Sequence, residues 1–312
     1  MTAIGFVGLG AMGSQIAGRL LEGNTLYGTN RTPSRASELI RRGMVWRGTP
    51  REVTQAAEVI FSMVTDDAAL EAITSGPDGI LAALAPGNVY VDMSTVSPQA
   101  SRDLAGRVHA LGASMLDAPV SGSVTAAING TLAIMASGPE DAFRTVEPLL
   151  RRLGRTVTYV GQGGQALLLK LAINISLAAQ MLAFSEGVLL AERGGIDPAL
   201  AATVMTGSAI GSPMLQARAP LMLNLPGQAW FDVQLMHKDI RLALEAARQL
   251  SVAAPSAAVA DAMLAKAEEL GYAKRDIAAF FEVLARMADA PGTTVRPARS
   301  GMVTAGAARS TS

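Results

Sequence analysis

Lys170 and Asn174 stand four residues apart in a long apolar stretch, residues 163–193, which reads GGQALLLKLAINISLAAQMLAFSEGVLLAER. On a helix that spacing puts an amine and an amide on one face, one turn apart. An ammonium among Leu167, Leu168, Leu169 and Leu171 is costly to keep charged. Its pKa is therefore expected to fall, which suits a group that gives and takes protons. The amide can hold that amine, or a substrate hydroxyl, by hydrogen bond. The competing reading is a structural lysine whose stem packs in the core while its head reaches water.

Three further clusters carry chemistry. Gly8-Leu9-Gly10-Ala11-Met12-Gly13 has the GxGxxG spacing. The first glycine allows a tight turn, the second lets a pyrophosphate approach the backbone, and the third packs a helix on its strand. Asn30-Arg31-Thr32 puts a planar fork of donors where an NAD-specific site would carry a carboxylate. That points to NADP(H) in preference to NAD(H); a solvated loop arginine is the alternative. Ser121-Gly122-Ser123 offers hydroxyls and unhindered N–H groups that suit a carboxylate or an oxyanion. It also reads as a simple polar loop.

The surrounding elements can position these groups. Residues 3–8 read as a buried strand and run directly into the glycine turn and then a helical run, the order a dinucleotide fold requires. A second strand is expected at 25–30. Further strands are expected at 59–64, 88–92, 113–117, 131–137 and 155–160, with helical segments and Gly/Pro breaks between them. Ligands of open α/β sheets bind beyond the carboxyl ends of the strands. Val64 and Thr65 after one strand, and Ser94 and Thr95 after another, are thus placed to meet the cofactor. Each hydroxyl could equally be a helix cap. Residues 161–164 read as a linker into the long helix, which at ~1.5 Å per residue spans roughly 40 Å. Its composition predicts burial all round. The length also fits a membrane span, but Lys170, Asn174, Gln180, Ser185 and Glu186 argue against one. After Gly195 only helical spacing appears, near 198–205, 213–223, 233–250, 256–270 and 276–288. Within the third of these, His237-Lys238-Asp239-Ile240-Arg241 interrupts the apolar pattern. The organisation expected is a dinucleotide-binding domain over 1–162, a helical domain over 163–290, and a disordered tail over 291–312 rich in Gly, Ala, Ser, Thr, Arg and Pro.

Composition narrows the function. Lys+Arg and Asp+Glu both number 26, so net charge gives no reason to expect nucleic acid or an anionic membrane. The absence of cysteine excludes disulfides, thiol catalysis and Cys-ligated zinc. The two histidines, His109 and His237, lack triad or HExxH surroundings and are expected on helix surfaces. No metal site is expected. The N-terminus has no secretory pattern, so a cytoplasmic location is expected.

Taken together, the motifs resemble those of the β-hydroxyacid dehydrogenase family, which includes 3-hydroxyisobutyrate dehydrogenases and tartronate semialdehyde reductases. The resemblance looks closest to the glyoxylate/succinic semialdehyde reductase branch. It is carried by GFVGLGAMG at 5–13, NRT at 30–32, VDMSTV at 91–96, APVSGS at 118–123, KLAIN at 170–174, FSEG at 184–187 and HKDIRLAL at 237–244, in family order. It implies an α/β Rossmann domain with a doubly wound, mostly parallel sheet, then an all-α domain joined by a long interdomain helix, in a homodimer or tetramer. It also implies reversible hydride transfer between NAD(P) and a small hydroxy acid or aldehyde. By position, Lys170 matches the family's catalytic lysine and Asn174 its supporting asparagine. Ser121, Gly122 and Ser123 match the substrate loop. Thr95 matches a cofactor contact, Lys238 a lysine reaching toward the cofactor, and Arg31 the residue associated with NADP preference. The chain departs from the family pattern with Val124-Thr125 and Ile128-Asn129-Gly130, so a less polar pocket rim is expected. Two rivals share the architecture. One is an imine or ketone reductase, though related imine reductases usually carry Asp or Tyr where Lys170 stands; the other is a non-catalytic dinucleotide-binding dimerisation module, and such modules lose the lysine. A 6-phosphogluconate dehydrogenase would need a more basic pocket and a longer helical domain.

Overall fold

The structure, a computed structural model, describes residues 2–289; the expected disordered tail lies outside the described residues. Six strands form a parallel sheet: β1 (Ala3–Val7), β2 (Thr25–Thr29), β3 (Val45–Trp46), β4 (Val59–Ser62), β5 (Val89–Asp92) and β6 (Ser114–Asp117). Their order is β3-β2-β1-β4-β5-β6, so strand order reverses between β1 and β4. Three more, β7 (Val120–Ser121), β8 (Leu132–Ser137) and β9 (Gly154–Gly161), extend the β6 edge. There β8 is antiparallel to β6 and β7, and β9 is parallel to β8. Strands β4 and β5 are buried at every position. That explains why they read as unbroken apolar runs rather than as alternating patterns.

Helices cover both faces. They are α1 (Ala11–Leu21), α2 (Ser37–Arg41), α3 (Pro50–Gln55), α4 (Asp67–Thr74), α5 (Pro98–Ala110), α6 (Val124–Asn129) and α7 (Glu140–Leu153). One core layer joins the sheet to α1, α2, α6 and α7, and the other joins it to α3, α4 and α5. The second half is helical: α8 (Gln165–Arg193), α9 (Pro198–Gly207), α10 (Pro213–Leu223), α11 (Val233–Gln249), α12 (Pro255–Glu269) and α13 (Phe280–Ala288). Asp197, Ser212 and Asp232 cap α9, α10 and α11 through their side chains. Proline at the first position of α9 and α10 reinforces those starts. Asp276 caps the short 3₁₀ turn 277–279 that leads into α13.

Two expectations are corrected. Helix α8 is not buried all round. It buries Leu167, Leu171, Asn174, Ala178, Met181 and Phe184, among others, and leaves exposed a stripe at Leu169, Ala172, Ser176, Gln180, Ala183, Glu186 and Leu190. The exposed residues recur every three or four positions, and several are small or polar, so they mark one face of the helix. His237 is not on a surface either. It is buried between α11 and α12, with Nε2 3.2 Å from Asp261 and Nδ1 3.1 Å from Glu268. His109, near the end of α5, is exposed.

Candidate active site

The glycine turn sits at the carboxyl end of β1, beside the switch in strand order. Gly8 has φ +100°, and a Cβ there would run into the Met63 carbonyl oxygen. Helix α1 begins at Ala11, so Gly13 lies in its first turn, where a Cβ would strike the Gly8 carbonyl oxygen. A Cβ on Gly10 would meet nothing within 4 Å, and Gly10 caps α1 without a side-chain hydrogen bond. The start of α1 thus has open space beside Gly10 and no side-chain acceptor on its cap, which fits a pyrophosphate. Leu9 is fully buried and Met12 packs against the core, so the turn offers its backbone rather than those side chains.

Asn30 turns out to be a brace. Its Oδ1 accepts from Leu9 N at 2.9 Å and its Nδ2 donates to the Thr32 carbonyl at 2.9 Å, tying the end of β2 to the glycine turn. Arg31 and Thr32 are exposed on that brace, and neither Arg31 nor nearby Arg35 forms an ion pair with a described residue. Ser94 is also tied into the fold through its hydroxyl. It is buried, donates to Asp92 Oδ1 at 2.6 Å and accepts from Val64 N at 2.9 Å. Ser62 donates to the same Asp92 oxygen at 2.7 Å. Burial pushes the Asp92 carboxyl up to about 6, against the lowering effect of these hydrogen bonds. This network fixes the loops that carry Val64, Thr65 and Thr95. Thr65 is exposed and donates to Asp66.

The Ser-Gly-Ser turn is divided between elements. Ser121 ends β7 and is half-buried, Gly122 has φ +145°, and Ser123 caps α6 by accepting from Ala126 N at 3.3 Å. The Ser123 hydroxyl is thus partly committed to the helix. Val124 and Ile128 belong to α6, a helix too short to show periodicity in the sequence.

Lys170 and Asn174 lie together on α8, as their spacing required, and two residues of α11 meet them. Asp239 is buried and accepts from Asn174 Nδ2 at 2.6 Å; Lys238 Nζ lies 2.7 Å from its other oxygen. The same Lys238 ammonium donates to the Thr95 carbonyl, so α11 is latched to the cofactor-side loop after β5. Lys170 is half-buried and makes no hydrogen bond to a described residue. Dense packing pushes its pKa down; the Asp239 carboxylate opposes that shift and Lys238 adds to it. Asp239 itself is raised by burial, against the pull of both lysines. Asn174 Oδ1 is buried with no hydrogen-bond partner. An amine with a lowered pKa and an unfilled amide acceptor, one turn apart, can transfer a proton and hold a hydroxyl. Sequence reasoning missed Asp239. Its signal was the charged interruption of α11, whose purpose appears only once α8 and α11 are packed together.

Comparison with known proteins follows this geometry. Residues 3–161 match the family model described as the NAD binding domain of 6-phosphogluconate dehydrogenase. Residues 164–284 match that described as NAD-binding of NADP-dependent 3-hydroxyisobutyrate dehydrogenase. The chain is 35% identical to 2-hydroxy-3-oxopropionate reductase of Escherichia coli K12, over 92% of this chain and 98% of that protein. It is 32% identical to the chloroplastic glyoxylate/succinic semialdehyde reductase 2 of Arabidopsis thaliana, over 90% and 79%. The 3-hydroxyisobutyrate dehydrogenase of Mycobacterium tuberculosis, solved with L-serine, superposes with a TM-score of 0.80 at 28% identity, covering 91% of this chain and 99% of that one. With both halves matched and an NAD(P)-binding fold in place, this chain belongs to the β-hydroxyacid dehydrogenase family of oxidoreductases.

Proposed function

We propose that this enzyme interconverts a small aldehyde of the semialdehyde or glyoxylate type with its hydroxy acid, using NADP(H) in preference to NAD(H). The observation that carries the proposal is Lys170. Its pKa is lowered by burial, its amine has no hydrogen-bond partner among the described residues, and it sits one turn from the buried Asn174 Oδ1, which accepts no hydrogen bond from a described residue. When bound, the nicotinamide supplies or accepts the hydride. Lys170 gives a proton to the carbonyl oxygen in reduction and takes it back in oxidation. Asn174 Oδ1 accepts from the substrate hydroxyl or from the lysine. Ser121 and the backbone of Gly122 and Ser123 hold the far end of the substrate. Lys238, bound to the Thr95 carbonyl, keeps the two halves of the site together.

The NADP(H) preference is supported by the unpaired guanidinium groups of Arg31 and Arg35 on the turn after β2. A charge-assisted hydrogen bond contributes about 1.5–3 kcal/mol. Arg31→Ala is therefore expected to raise the Michaelis constant for NADPH by about 10–100-fold and that for NADH far less. The assay is cofactor oxidation against glyoxylate, succinic semialdehyde and a panel of apolar aldehydes, ketones and imines. No turnover of any carbonyl acid would overturn the substrate class, and equal use of both cofactors by the unaltered enzyme would overturn the cofactor preference.

We also propose a homodimer or a higher assembly built on it. Leu190 and Val204 are 77% and 62% exposed, and Ile196, Leu200 and Ile210 stand out nearby on or beside α9. With Leu169 on α8 they are exposed apolar side chains that a second copy would cover. Sedimentation equilibrium at micromolar concentration is expected to give at least twice the chain mass; a monomer would refute this.

A further inference from the structure

Helix α8 has no cap of its own. Its N-cap is Gly164, at φ +87°, where a Cβ would crowd Arg102 and the Pro98 carbonyl. The first N–H groups of a helix have no acceptor within it. Here Gln165 N donates to the Gln162 carbonyl of the linker at 3.1 Å, and two further acceptors come from the sheet. Gly164 N donates to Asp117 Oδ2 at 2.5 Å, and Ala166 N donates to Ser137 Oγ at 3.1 Å. Ser137 in turn donates to the same Asp117 oxygen at 3.0 Å, while Ser101 of α5 donates to the other. Asp117 is 3% exposed, ends β6, and lies four residues before Ser121.

We infer that Asp117 is a positioning residue that sets the placement of Lys170 by capping α8 from the sheet, directly and through Ser137. One buried carboxyl thereby joins the substrate strand, the helix after the cofactor loop, and the root of the catalytic helix. Lys170 lies six residues beyond Gly164, about 9 Å along the axis. A tilt at that root displaces the amine relative to the strand ends where substrate and cofactor meet. The negative end of the cap also matches the positive end of the helix dipole. Misplacement of a reacting group by about 1 Å can cost about 10²-fold in rate.

The inference rests on Lys170 as the acid/base. Its test uses Asp117→Asn and Ser137→Ala in the full chain. The asparagine keeps the size of the side chain but has only one accepting oxygen for the several donors that converge there. The alanine leaves the carboxyl in place and strands only the Ala166 N–H, so it decides the matter if the asparagine variant does not fold. Hydrogen–deuterium exchange of the cofactor-free proteins is expected to speed up over residues 162–168. Single-turnover hydride transfer is expected to slow by about 10–100-fold, with NADPH affinity within about threefold. A purely structural role predicts a rate loss that follows the fraction unfolded, with the folded remainder reacting at the unaltered rate. That pattern, or unaltered transfer despite faster exchange, overturns the inference. If instead Lys170→Met transfers hydride at the unaltered rate while these variants still loosen α8, it is the reading of Lys170 that has failed.

Discussion

Lys170→Met is expected to lower single-turnover hydride transfer by about 10²–10⁴-fold, the usual contribution of a positioned general acid. That loss corresponds to about 3–5 kcal/mol of transition-state stabilisation. Methionine keeps roughly the length and packing of the lysine stem but cannot carry the proton. NADPH affinity should hardly change, because the glycine turn and Arg31 lie on the other domain and make no contact with the α8 amine. Stability should rise. The folded pKa of Lys170 lies below its unfolded value because burial disfavours the charged form. Folding is therefore penalised most at low pH, where the amine is charged in both states, and the penalty fades as pH rises to the unfolded value. The gain from methionine should follow the same course, larger near pH 6 than near pH 10. Near-normal hydride transfer in a folded, cofactor-bound Lys170→Met protein would remove Lys170 from the mechanism.

The second large effect is expected from Asp239→Asn. Asp239 is the acceptor for Asn174, lies against Lys238, and is the group that holds the Lys170 pKa up against burial. Neutralising it leaves the Lys170 amine under the influence of Lys238 with no opposing carboxylate. The pKa of Lys170 should then fall further, since burial and Lys238 act unopposed. Reduction needs the protonated amine, so its rate falls as pH rises through that pKa. In the variant this falling limb should move to lower pH, and turnover near pH 8 should drop by roughly 10–100-fold. At lower pH, where the variant's lysine is again protonated, part of the loss should be recovered. A uniform loss at every pH would mean that Asp239 only holds Asn174 and Lys238 in place.

These residues differ in how they could be known. The GxGxxG turn, the buried strands, the continuous helix from 165 to 193 and the pairing of Lys170 with Asn174 are all local patterns. Each is set by spacing along the chain, because the pitch of a helix and the alternation of a strand place near neighbours in space. The Asn30-Arg31-Thr32 turn was legible for the same reason, since one short stretch carries both the missing carboxylate and the guanidinium. Strands of two residues, β3 and β7, and the six-residue α6 fell below the length at which periodicity can be seen. Other features needed the packed molecule. Asn174 finds Asp239 across 65 residues, Gly164 finds Asp117 across 47, and Lys238 finds Thr95 across 143. His237 became a buried group only because α12 lies over it, and α8 gained an exposed stripe because its neighbours within the chain cover one side alone. Periodicity tells which faces are apolar and where a reactive group stands on an element. Which polar groups lose water, and which partner each then meets, depends on contacts between elements distant in sequence, and those contacts set the pKa of Lys170 and anchor the helix that carries it.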